Sequence, residues 1–171
     1  MAAMTLALDA LTARRLLPNE HLFLLLDELG SYHPDEGRLT ARKYVPQNDF
    51  FLLGHFPGQP VFPGVLILEA LVQTSRLLRE LDGLRLSGVP VERLHDVLVE
   101  RGKVPHGFLV ESSLKHSEVV RPGDVLDLEA LITRREGERY GFKVTASVGA
   151  RVVGRGRLVL RRGSPEDGPV H

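Results

Sequence analysis

The stretch Pro63 to Leu81, PGVLILEALVQTSRLLREL, limits what the chain can fold into more than any other segment. Seven of the eight residues from Val65 to Val72 are apolar, so a helix here is hydrophobic around its whole circumference. A helix of that kind must be enclosed rather than laid on a surface. Pro63 fits its first turn, where a missing N–H costs nothing. At 171 residues the chain is long enough for a single domain with its own core. Residues 1–162 are assigned to that domain and 163–171, rich in Gly and Pro, to a flexible C-terminal tail.

The enclosing layer is legible in the second half of the chain. Leu126, Leu128, Ala130 and Ile132 alternate with more polar neighbours, and Tyr140, Phe142, Val144, Ala146 and Val148 do the same after a turn at Glu136-Gly137-Glu138. A third run, VVGRGRLVLRR over 152–162, follows Gly149. Period-two alternation broken by tight turns predicts three antiparallel strands in a meander. The spacing further predicts a short helix over 8–17, a buried strand within Leu22–Leu29, a half-buried strand over Arg38–Val45 and a surface helix over 90–101 begun by Pro90. The class is α+β, an antiparallel sheet wrapped around one long helix.

Several functions are excluded by composition. There is no cysteine, which removes disulfides, thiolate nucleophiles and Cys-rich metal sites. Twenty-two basic residues balance twenty-two acidic ones, so broad phosphate neutralisation on nucleic acid is not expected. No apolar run reaches the ~18–20 residues of a membrane span, and the first residues lack a basic leader region. The expected location is the cytoplasm. The seven histidines show no H-x-H or H-E-x-x-H spacing, so no metal is expected. No serine sits in G-x-S-x-G. Gly154 and Gly156 precede no helix, which points to a bulge or close strand packing rather than a dinucleotide loop.

Glu69 is the one charged residue in the apolar run. A carboxyl buried there must be paired or carry a raised pKa. The alternative is a narrow exposed polar stripe through Glu69, Gln73 and Arg76, which share a helix face; the residues alone leave both open. His55 lies in a loop made stiff by Pro57, Pro60 and Pro63 with Gly58 and Gly64. Such a loop can hold an imidazole in one orientation, although an isolated loop histidine is more often simply hydrogen-bonded in place. The Gly64 amide, at a helix start and with no side chain in the way, suits a developing oxyanion. Base, oxyanion donor and buried acid together suit proton abstraction beside a carbonyl.

These residues, GHFPGQPVFPGVLILEALVQ, resemble the signature of the 3-hydroxyacyl-[acyl-carrier-protein] dehydratases of the FabZ/FabA type, with Glu at position 69 closer to FabZ. LPNEHLFLLLD (17–27) and VVRPGD (119–124) extend the similarity to about residues 8–162. The resemblance implies the hotdog fold and dehydration of (3R)-3-hydroxyacyl thioesters on acyl carrier protein. It implies His55 as base, Gly64 N–H on the thioester carbonyl and Glu69 on the departing hydroxyl. It also implies no cofactor, and a homodimer, open to assembly as a trimer of dimers, whose sites take histidine and acid from different subunits. Phe56, Pro63, Val65 and Gln73 would line the acyl tunnel. Hotdog thioester hydrolases and non-catalytic carrier-binding subunits are the rival readings on the same scaffold. Departures from the family pattern are Asn19-Glu20, Lys115-His116 with Glu118, Val119, and the insertion carrying the 90–101 helix. These are expected around the tunnel mouth rather than at the chemical centre. Arg134, Arg135 and Arg139 flank a hairpin turn and are read either as a solvated turn or as a dock for the acidic carrier.

Overall fold

The computed structural model describes residues 4–8 and 10–163. In chain order, β1 (Met4–Leu8) and α1 (Ala10–Leu16) lead to β2 (Glu28–His33) and β3 (Arg38–Tyr44). The long α2 (Gly64–Leu86) and α3 (Leu94–Arg101) follow, and then β4 (Gly107–His116), β5 (Val125–Glu136), β6 (Arg139–Val148) and β7 (Arg151–Arg162). All seven strands form one antiparallel sheet in the order β1-β2-β3-β5-β6-β7-β4. The sheet curls around α2, which is the hotdog arrangement. Among the described residues no helix is long and apolar enough to cross a membrane.

The meander is as the alternation predicts. Leu126, Leu128, Ala130 and Ile132 of β5 are buried, as are Tyr140, Phe142, Val144 and Ala146 of β6. Their two hairpin turns close on Gly137 (φ 56°) and Gly149 (φ 56°), in the left-handed region that two-residue turns require. Opposite them α2 buries Leu66, Ile67, Ala70, Leu71, Leu77, Leu78 and Leu81. It continues five residues past the predicted end. Gly88, at φ 93°, then stops it, with Val89 N–H returning to Leu84 O at 3.1 Å. At 23 residues, α2 spans roughly 34 Å.

Some predicted elements move. The apolar run Leu22–Leu29 is not a strand; His21–Phe23 is a single 3-10 turn, and β2 starts only at Glu28. Polar backbone groups of the run are taken by a side chain of α2 instead of a ladder, as described below. The predicted helix over 90–101 is a 3-10 turn, Val91–Arg93, followed by α3, which buries Leu94 and Leu98 along one stripe. The strands β1 and β4 carry no clear alternation and were not expected. β4 is a sheet edge exposed on both faces for most of its length. Of the expected C-terminal tail, residues 164–171 lie outside the described residues. Gly156 confirms close strand packing: a Cβ there would sit 1.9 Å from Ser113 O on β4.

Candidate active site

The loop before α2 fixes His55 by its own backbone. His55 Nδ1 is 2.8 Å from Val61 O, and Val61 N–H donates to His55 O at 2.7 Å. A carbonyl oxygen only accepts, so Nδ1 carries the proton and Nε2 presents its lone pair. The imidazole also stacks on Phe56 with centroids 4.2 Å apart. His55 is thus a hydrogen-bonded loop histidine whose ring is held in one orientation. Phe62 N–H donates to Val120 O at 2.8 Å, tying the end of the loop to the β4–β5 connection.

Gly64 opens α2. Pro63 gives no side-chain cap, while the N–H groups of Leu66 and Ile67 turn back to Pro63 O. The first amides of the helix, those of Gly64 and Val65, thus face out with the positive end of the helix dipole behind them. Five residues on, Glu69 enters a polar seam. Its Oε1 accepts from Gln73 Nε2 at 2.9 Å and makes a longer contact of 3.5 Å with Asn19 Nδ2. Gln73 is fully buried, and its amide also donates to Phe23 O (2.8 Å) and accepts from Leu25 N–H (2.9 Å). Arg76, 8% exposed, donates to Asn19 Oδ1 at 2.8 Å and to Gly107 O at 3.1 Å.

The stripe Glu69, Gln73, Arg76 therefore exists, but it is covered by residues 19–25 rather than open to solvent. Burial pushes the Glu69 carboxyl up from the ordinary carboxylate value, against hydrogen bonds from Gln73 and Asn19 and the charge of Arg76, which pull it down. This carboxyl holds a proton more readily than a surface glutamate. Asn19, a departure from the family pattern expected at the tunnel mouth, instead touches the acid itself.

Among the described residues no hydrogen bond or ion pair joins His55 to Glu69; each is held by different partners. Of the expected tunnel residues, Gln73 is an internal brace. Phe56 and Val65 stand 55% and 71% exposed, and Pro63 is half-buried. One chain alone does not close a channel over them. The three arginines flanking the β5–β6 turn have different partners. Arg135 clamps the fully buried Asp82 through Nε (2.7 Å) and Nη2 (2.9 Å), with Arg85 adding a third bond at 3.1 Å, so it pins α2 to β5. Arg134 pairs with Glu136, and Arg139 opens β6 beside the same turn. The turn lies against Asp82, roughly 27 Å along α2 from Gly64 of the same chain. Among the described residues no three His, Asp or Glu side chains gather as metal ligands would.

The long helix wrapped by a curled antiparallel sheet defines a protein of the hotdog class. The FabA-like domain model matches residues 17–157, and the chain belongs to that family. It is 38% identical over 148 residues to the 3-hydroxyacyl-[acyl-carrier-protein] dehydratase FabZ of Chlamydia trachomatis, covering 85% of this chain and 86% of that one. The FabZ dehydratase of Anaeromyxobacter sp. strain K is 36% identical over 146 residues, covering 85% of each. Among solved structures, the dehydratase heterocomplex ApeI:P from Xenorhabdus doucetiae superposes with a TM-score of 0.65 at 16% identity, over 90% of this chain and 92% of that one. At that identity the likeness speaks for the fold alone.

Proposed function

We propose that this chain is a hydro-lyase that dehydrates (3R)-3-hydroxyacyl thioesters on acyl carrier protein to trans-2-enoyl thioesters in fatty-acid synthesis, acting in the cytoplasm. The observation that carries this reading is Glu69. It is an acid held in a buried seam, with its pKa raised by burial, one turn along the helix from an unencumbered amide. The Gly64 N–H polarises the thioester carbonyl and makes the C2 proton acidic. His55 Nε2 takes that proton. The C3–O bond breaks, Glu69 gives its proton to the departing hydroxyl, and water leaves as the C2–C3 double bond forms. Return of the proton from His55 to Glu69 through solvent restores both groups, so substrate is converted to enoyl thioester and water with nothing else consumed.

The working unit in this reading is a homodimer. Edge strand β4 leaves its outer side unpaired with Phe108, Leu109 and Val110 exposed, a row suited to pairing with a second copy. Exposed Phe56 and Val65 are likewise suited to being covered, and the acid and base of one site come from two chains. The test is complementation between His55→Ala and Glu69→Gln. Each is inactive alone; mixed dimers rebuild one intact site, returning about a quarter of wild-type turnover after random exchange. No recovery despite subunit exchange would contradict a shared site.

A further inference from the structure

His116 closes β4, and the chain departs from the family pattern there. Side chains alternate along a strand, so His116 shares its face with Leu114, whose Cδ1 packs 3.8 Å from the position of a Cβ on Gly154. Gly154 is also the cross-strand partner of His116 and offers no side chain to crowd it. Beneath the ring lies Gly64. A Cβ on Gly64 would be 2.9 Å from His116 Cε1, 3.0 Å from Nε2 and 3.2 Å from Nδ1. The imidazole therefore rests against the bare Cα of the residue whose amide opens α2.

That ring is held but not spent. Among the described residues neither of its nitrogens has a hydrogen-bond partner. The strand end that carries it is fixed by Ser117 N–H to Val153 O at 2.9 Å, and the neighbouring loop by Phe62 N–H to Val120 O at 2.8 Å. Charged neighbours are engaged elsewhere: Glu118 pairs with Arg151, and Lys115 stands opposite Arg155 on the other face of the strand pair. A carbonyl oxygen has two lone pairs and takes two donors. Here the imidazole lies against Gly64, the residue whose backbone N–H opens α2.

Resting on the dehydratase reading of this site, we propose that His116 is a second donor to the thioester carbonyl oxygen, completing with the Gly64 amide a two-donor oxyanion site. The donor keeps its proton throughout. It stabilises the negative charge that develops on the oxygen as His55 removes the C2 proton, and the charge returns to carbon as the double bond forms. Its contribution falls on kcat rather than on KM, because the oxygen becomes strongly basic only along the reaction path.

The experiment compares wild type, His116→Phe and His116→Gln on one enoyl thioester, with His55→Ala as the control for the site. Phe keeps a ring over Gly64 without a donor; Gln restores an N–H at similar reach. The expected result is a fall in kcat on the order of 10²-fold for His116→Phe with KM little changed, and substantial recovery in His116→Gln. Unchanged kcat in His116→Phe, or equal loss in both variants, would make the ring packing only and overturn the assignment. An inactive wild type would remove the underlying dehydratase reading as well, so the two failures are distinct. The side chain is exposed at a strand end; matching melting curves for the variants establish that each is folded.

Discussion

Gln73→Leu tests the buried seam most severely. The glutamine amide is fully buried and makes three hydrogen bonds, to Phe23 O, Leu25 N–H and Glu69. Leucine fills a similar volume but leaves Phe23 O and Leu25 N–H without this partner and Glu69 with only its longer contact to Asn19. A buried donor or acceptor without a partner costs about 1–3 kcal/mol. Leu25 N–H is wholly enclosed while Phe23 O is only partly so, which brings the expected loss to about 2–3 kcal/mol after the apolar gain. For a chain of this length that is a fall in Tm of about 4–12 °C. Urea unfolding at fixed protein concentration measures it. Activity must fall as well, because Glu69 loses its shortest contact. Gln73 also favours the ionised carboxyl, so its removal raises the Glu69 pKa further. The Glu69 limb of the kcat/KM profile then moves to higher pH. A variant within about 0.5 kcal/mol of wild type, a difference ordinary for surface substitutions, and with full kcat would refute the seam as described.

Two further outcomes follow from packing and charge away from the chemistry. Burial alone would raise the pKa of Asp82, but hydrogen bonds and charge from Arg135 and Arg85 outweigh it and hold the carboxyl below its ordinary value. A depressed pKa gives stability that is full above the ordinary carboxylate pKa of about 3.9 and is lost as pH falls through the folded value. Asp82→Asn is therefore expected to cost about 2–3 kcal/mol at pH 7, with Arg135 partly solvated, and the gap to wild type narrows in acid unfolding series. At Gly156 an added methyl meets Ser113 O at 1.9 Å and Leu114 Cα at 2.9 Å, both backbone, whereas at Gly154 the nearest atoms lie at 3.8 Å. Gly156→Ala should cost roughly 1–3 kcal/mol by overpacking and slow turnover by shifting β4, while Gly154→Ala melts close to wild type.

Where one face of an element is buried, the sequence carried its position. The alternation in β5 and β6 and the apolar circumference of α2 were readable because the core demands them at fixed period. β4 was not, since an edge strand with both faces exposed has no reason to alternate, and GFLVESSLKH does not. The run at 22–29 misled because its apolar content is real, with Leu25 and Leu26 buried; two of its backbone groups, Phe23 O and Leu25 N–H, are however taken by the amide of Gln73. At the site, spacing placed Glu69, Gln73 and Arg76 on one face but was silent on what covers them. The cover begins with Asn19, 57 positions before Arg76 in the chain. His116 over Gly64 is a contact of the same long-range kind. Asn19 and His116, both expected at the periphery, thus adjoin the candidate chemical groups because folding brings the ends of distant segments onto the first turns of α2.

In the proposed reaction His55, Gly64 and Glu69 together move water across the C2–C3 bond of an acyl thioester. The most direct measurement is hydration of a short trans-2-enoyl thioester to its 3-hydroxy product, followed in wild type, His55→Ala and Glu69→Gln while free thiol is recorded in parallel. Hydration is expected in the wild type and lost in both variants, with no thiol released. Thiol release by the wild type would contradict the proposed reaction in favour of a hydrolase, and carrier binding without any turnover would make the chain a binding protein on the same fold.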